Sequence, residues 1–165
     1  MNSFGIFVDG DTVRFERMLE APPEHVWEYL TDSELLSQWL GAGEIEPKLG
    51  GKVFLRPGGP VIRGIVKRYD PPHALSYSWN VLMLGEETPV TIEAILGFEL
   101  TDQAGNTSLT LTHGPVESQF LVPTAAGWHA ILDILGAYVA EADPPDFMDV
   151  YRRVSTEYET AVAGS

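Results

Sequence analysis

Val13, Phe15, Arg17 and Leu19 alternate with Thr12, Arg14, Glu16 and Met18, a period of two that predicts a half-buried strand over residues 12–19. Ala21-Pro22-Pro23-Glu24 follows, and proline in an opening turn succeeded by an acid is a helix-start signal. Residues 23–30 therefore read as a short helix burying Val26, Trp27 and Leu30. Thr31-Asp32-Ser33-Glu34 restarts the helical pattern, with Leu35, Leu36, Trp39 and Leu40 on one side, and Gly41-Ala42-Gly43 is expected to end it in a turn.

From Glu44 onward, Gly and Pro separate short runs at the spacing of consecutive antiparallel strands. Six more strands are predicted, over residues 44–47, 52–56, 61–69, 74–81, 89–100 and 107–113. The clearest carries Val90, Ile92, Ala94, Leu96, Phe98 and Leu100 on one face and mostly polar residues on the other. After Gly114-Pro115 the period becomes helical. Trp128, Ile131, Leu132, Leu135, Tyr138 and Val139 recur at three and four, with Thr124 as the expected N-cap. Asp143-Pro144-Pro145-Asp146 interrupts the chain. A last helix over 147–162 sets Phe147, Val150, Tyr151, Val154 and Tyr158 on one side, suited to packing on the body or on a second subunit.

Composition narrows the classes. A chain of 165 residues with 44% hydrophobic and 21% charged residues suits one ordinary domain with its own core. With no cysteine, thiol catalysis, disulfides and cysteine-ligated metals are excluded. Ten Lys and Arg against 24 Asp and Glu give a net charge of −14, and the basic residues read as scattered, so no nucleic-acid partner is expected. The opening MNSFGIFVDGD lacks the basic and apolar regions of a signal peptide, and no apolar run is expected to approach about 18 residues, the longest candidate, 130–140, being interrupted by Asp133. A cytoplasmic protein without membrane insertion is the expectation.

The predicted order is a strand, two short helices, six strands and a long helix. It describes an α+β helix-grip fold, in which a curved antiparallel sheet of about seven strands holds a C-terminal helix, with one extra terminal helix. Ala21-Pro22-Pro23-Glu24-His25-Val26-Trp27 and Thr31-Asp32-Ser33-Glu34-Leu35-Leu36-Ser37-Gln38-Trp39 resemble the opening of the START-related SRPBCC superfamily. Leu49-Gly50-Gly51-Lys52-Val53, Leu75-Ser76-Tyr77-Ser78-Trp79, Leu109-Thr110-Leu111-Thr112-His113 and Gly127-Trp128 resemble its branch named for the activator of the ninety-kilodalton heat-shock-protein ATPase. The resemblance spans about residues 12–142, leaving 1–11 as an N-terminal extension and 143–165 as a C-terminal helical one. The co-chaperone of that branch carries a separate N-terminal domain, for which the residues before position 12 leave no room. The resemblance accordingly implies a fold more than a co-chaperone activity.

A curved sheet that fails to pack flush against one helix leaves an apolar cavity. Strand parity and helix phase would line it with Tyr77, Trp79, Ile92, Ala94, Phe98, Leu111, His113, Trp128, Leu132 and Leu135, although a filled core needs the same apolar stripe. Arg17 stands in phase with apolar neighbours and requires an acidic partner, either a ligand carboxylate or a side chain of the protein itself. His113 is an acid-base candidate or a hydrogen-bonded structural residue. No nucleophile elbow, phosphate loop or metal-ligand spacing is present, and neither metal nor cofactor is expected. The leading function is a binding protein enclosing a small hydrophobic or amphipathic molecule. One alternative is a cyclase-, aromatase- or hydratase-like enzyme, requiring His113, Tyr77 and Arg17 to converge. The other is an interaction protein or homodimer using the Phe147, Tyr151 and Tyr158 stripe.

Overall fold

The computed structural model describes residues 3–57, 61–82 and 94–164. The elements run β1 (Ile6–Val8), β2 (Thr12–Leu19), α1 (Pro23–Thr31), α2 (Ser33–Trp39), β3 (Ala42–Ile45), β4 (Lys52–Arg56), β5 (Val61–Asp70), β6 (Ala74–Leu82), β7 (Ala94–Gln103), β8 (Asn106–Gly114), α3 (Leu121–Val139) and α4 (Phe147–Ala163). The strands form one antiparallel sheet in the order β1-β2-β8-β7-β6-β5-β4-β3. This is the α+β helix-grip arrangement with eight strands rather than seven.

The additional strand comes from the segment expected to precede the sheet. Ile6, Phe7 and Val8 pair with Arg14, Val13 and Thr12. The reversal is made by Asp9 and Gly10, both at positive φ, 54° and 76°. An Asp-Gly pair between apolar runs is a hairpin signal, because both residues tolerate the left-handed region that such a turn demands.

The two short helices follow local chemistry. Pro22 and Pro23 preset extended-then-helical φ at the start of α1. Asp32 ends α1 and caps α2, its carboxylate accepting from the backbone N–H groups of Glu34 and Leu35 at 2.9 and 3.2 Å. Trp39 donates its indole N–H to the Tyr29 carbonyl at 2.8 Å, which fixes the angle between the helices. Gly41-Ala42-Gly43 is not merely the turn expected: Ala42 and Gly43 open β3. Gly43 has φ 145°, and a Cβ there would overlap the Phe54 carbonyl oxygen of β4, so only glycine allows the strands to meet.

One face of the sheet is apolar through its rungs. Phe15, Leu111, Phe98 and Leu75 stand opposite one another in register, and Val13, His113, Leu96 and Tyr77 form the next row. α3 covers this face, burying Trp128, Leu132, Leu135 and Val139 on the predicted phase. It begins three residues before the expected N-cap: Phe120 precedes its first turn, and Pro123 falls in that turn, where a missing N–H costs no intrahelical bond.

The apolar stretch Ser118–Val139 is by length and composition long enough to cross a membrane, which corrects the sequence reading that no run approaches that length. Here it is the covering helix of the sheet. Its second buried side, with Ala126, His129 and Ala130, is explained by α4, which packs along it through Val150, Val154 and Tyr158. Of the two roles expected for the last helix, packing on the body is the one Val150, Val154 and Tyr158 take, whereas Phe147 and Met148 remain exposed.

Candidate functional site

Tyr77 and Trp79 project from β6 on the face covered by α3. Tyr77 is in register with Leu96 and Trp79 with Ala94. Leu96 in turn faces His113 on β8. Trp128, in the first half of α3, descends onto this corner. Trp79 is the hub of the resulting group: its ring centroid lies 6.4 Å from Tyr77, 5.7 Å from His113 and 5.4 Å from Trp128. Tyr77 reaches Phe98 at 6.5 Å, and Phe98 reaches Trp39 of α2 at 6.3 Å. These separations suit tilted and edge-on aromatic contact.

The polar atoms of this group are few and have assignable states. Trp128 Nε1 lies 2.8 Å from His113 Nδ1. An indole N–H can only donate, so Nδ1 is an acceptor and the neutral imidazole carries its proton on Nε2. Burial favours that neutral form, pushing His113 down to about 4 from its usual 6.5. Tyr77 is fully buried, and burial pushes its phenol above the ordinary tyrosine range, so it too is neutral. Its hydroxyl has no hydrogen-bond partner among the described residues. A buried hydroxyl left in that condition costs about 1–3 kcal/mol. Two neutral polar groups, one of them without a partner among the described residues, thus stand among aromatic rings in the core between the sheet and α3.

Of the other residues expected to line a cavity, Ala94, Phe98, Leu111, Leu132 and Leu135 are buried on the covered face, and Ile92 lies outside the described residues. Arg17 is placed elsewhere. It is four residues along β2 from Val13, the residue facing His113, or about 13 Å at strand rise. Its Nη1 donates to Asp133 Oδ1 at 2.8 Å and its Nε to the Ser3 carbonyl at 2.9 Å, while Nη2 has no partner among the described residues. The acidic partner demanded by its position is therefore in the chain. With Leu132, Asp133 and Gly136 it lines an open groove of about 450 Å³ between β2 and α3. His113, Tyr77 and Arg17 consequently do not meet at one point, the geometry on which the enzymatic alternative depended.

A second buried polar cluster escaped the sequence reading. His129 Nδ1 and the Tyr158 hydroxyl share a hydrogen bond of 2.8 Å, and that hydroxyl also accepts from the Gly5 N–H at 2.8 Å. His129 Nε2 faces Asp133 at 3.9 Å. Burial, then the nearby Arg17, pushes His129 down to about 4, while burial pushes Tyr158 up to about 12. The available signal was the polar pair at positions 129 and 133, one helical turn apart in an otherwise apolar helix. Phe4, 4.7 Å from the His129 ring, closes the cluster, which fastens the N-terminal segment to α3 and α4. Among the described residues, no group of three or more His, Asp or Glu is arranged to hold a metal ion.

Comparison with known proteins adds the following. A family model described as "Activator of Hsp90 ATPase homolog 1-like protein" matches residues 20–140. No curated protein matches the chain. The crystal structure of CalU16 from Micromonospora echinospora is similar with a TM-score of 0.74 and 22% identity, covering 97% of this chain and 95% of that one. The solution structure of the protein encoded by BPP1335 of Bordetella parapertussis is similar at 0.73 and 27%, covering 96% and 90%. PFC0360w, an HSP90 activator from Plasmodium falciparum, is similar at 0.60 and 22%, covering 72% and 87%. At 22% identity, CalU16 and PFC0360w share the fold with this chain.

Proposed function

The chain belongs to the family of Activator of Hsp90 ATPase homolog 1-like proteins, and from that premise we propose that it binds a small, uncharged, largely aromatic molecule against Tyr77, Trp79, His113 and Trp128. The observation carrying this reading is the fully buried Tyr77 hydroxyl without a partner among the described residues. A guest supplying an acceptor oxygen would remove its desolvation penalty, and flat faces on Trp79 and Trp128 would supply the apolar contact. His113 Nε2–H offers a second donor of fixed tautomer. No bond need be made or broken in this reading, and Arg17 on the covered face is already held by Asp133.

Native mass spectrometry of freshly purified protein tests this reading. The expected result is an adduct of a few hundred daltons, released on denaturation and depleted in Tyr77→Phe. Uniformly apo protein that also fails to take up added neutral aromatic compounds would overturn it.

A further inference from the structure

Six of the ten basic residues, Lys48, Lys52, Arg56, Arg63, Lys67 and Arg68, fall between positions 48 and 68, where there is no Asp or Glu. That stretch carries +6, and the rest of the chain carries 4 − 24 = −20. The basic residues are therefore not scattered. β4 sends Val53 and Leu55 into the core, so Lys52, Phe54 and Arg56 stand on the outer face of the sheet, the face opposite α3. β5 adds Arg63 directly opposite Phe54 and Ile65 opposite Lys52. The guanidinium carbons of Arg56 and Arg63 lie 5.2 and 5.7 Å from the centre of the Phe54 ring. An open groove of about 500 Å³ crosses this patch, walled by Lys52, Phe54, Arg63, Ile65 and Asn80.

Three of these six charges are uncompensated among the described residues. Lys52, Arg56 and Arg63 form no ion pair among the described residues. Lys48 is taken by Glu46 at 3.5 Å and Arg68 by Glu99 at 3.5 Å. Acids also stand at the patch: Glu44, opposite Phe54 on β3, and Glu46, whose carboxylate accepts from the Lys52 backbone N–H at 3.3 Å. The Phe54 ring holds two guanidinium groups side by side, which concentrates positive charge there, and Ile65, 41% exposed, adds apolar surface beside them.

We propose that this outer face of β4 and β5 docks a short acidic protein segment in extended form. Its carboxylates would meet the forks of Arg56 and Arg63 and the Lys52 ammonium, and an intervening apolar side chain would lie on Phe54 and Ile65. Length favours a peptide over a polyphosphate. β4 extends about 17 Å, and a nucleic acid running beyond it meets a surface carrying the remaining −20, while a few acidic residues end within the patch. At physiological salt the screening length of about 8 Å lets the local cations act despite the negative whole.

The test is fluorescence anisotropy of a labelled Gly-Asp-Glu-Leu-Asp-Glu-Gly peptide with the full chain at about 50 and 300 mM salt. Saturable binding is expected, weaker at the higher salt and reduced at least about tenfold by Arg56→Glu combined with Arg63→Glu. Arg63→Gln, checked by circular dichroism for an intact fold, should weaken it to a smaller extent, and an Asn/Gln version of the peptide should not bind. Absence of saturable binding, or equal binding by the double variant, would overturn the proposal. So would tighter binding of a short oligothymidylate or of phosphatidylserine vesicles, or self-association of the chain that the double variant abolishes.

Discussion

The indole N–H of Trp128 points into Nδ1 of His113 at 2.8 Å, joining the covering helix to the sheet through one buried hydrogen bond. The bond fixes the imidazole tautomer and leaves Nε2–H as a donor with no partner among the described residues. Trp128→Phe keeps the aromatic packing but strands a buried acceptor, and is expected to cost about 1–3 kcal/mol in urea unfolding. In the wild-type protein, nitrogen NMR of His113 should report the Nε2–H tautomer, and in the variant a mixture.

His113 and His129 are both depressed to about 4, so the unfolded chain binds more protons than the folded one between pH 4 and 6.5. Stability then rises with pH across that window: it is complete above 6.5 and lost progressively as pH falls towards 4. The His113 share is roughly 3–4 kcal/mol, from about 2.5 pH units at about 1.4 kcal/mol each. His113→Gln should flatten the pH dependence of the unfolding free energy by about that amount, and an unchanged slope would contradict the assignment.

Tyr77→Phe separates binding from stability. Deleting a hydroxyl that has no partner should leave the apo protein as stable or up to about 1 kcal/mol more stable, while weakening binding of a neutral aromatic ketone. A clear loss of thermal stability would mean that the hydroxyl is satisfied in solution.

Arg17 and Asp133 form a half-shielded pair whose members depend on each other. Asp133→Ala leaves a buried guanidinium uncompensated and should cost about 2–4 kcal/mol, discounted for the partial exposure of Asp133. Arg17→Met with Asp133→Leu should recover most of that loss. Because Arg17 lies about 13 Å along the sheet from the aromatic group, binding there should survive the double substitution.

Much of this architecture is legible in the sequence, for identifiable reasons. β2, β4 and the two short helices follow from period and capping, since each buries one face and ends at Pro, Asp or Gly. β1 was missed although Asp9-Gly10 marks its turn, because three residues are too few to show alternation. The start of α3 was placed at Thr124, because an N-cap search favours a hydroxyl and the helix instead begins behind Phe120. Parity put Tyr77, Trp79 and His113 on one face, yet parity says nothing about position along it. For that reason Arg17, on the same face, was grouped with residues it does not approach. The Trp128 to His113 bond and the Tyr158 to His129 bond needed the third dimension.

Ala94→Phe adds a ring opposite Trp79 in register, where it would compete with a guest for the Trp79 face. Uptake of neutral aromatic compounds is expected to fall at least about tenfold, with a stability change within the 1–3 kcal/mol of an overpacked site. Leu132→Trp, nearer the Arg17 groove, should have the smaller effect on binding.

Titration of the intrinsic tryptophan fluorescence with 2-acetylnaphthalene tests the central claim most directly, because Trp79 and Trp128 flank the orphan hydroxyl's ring group. The account predicts one saturable site, weakened about tenfold by Tyr77→Phe, the worth of one buried hydrogen bond. No saturable response, or identical curves for the two proteins, would contradict it.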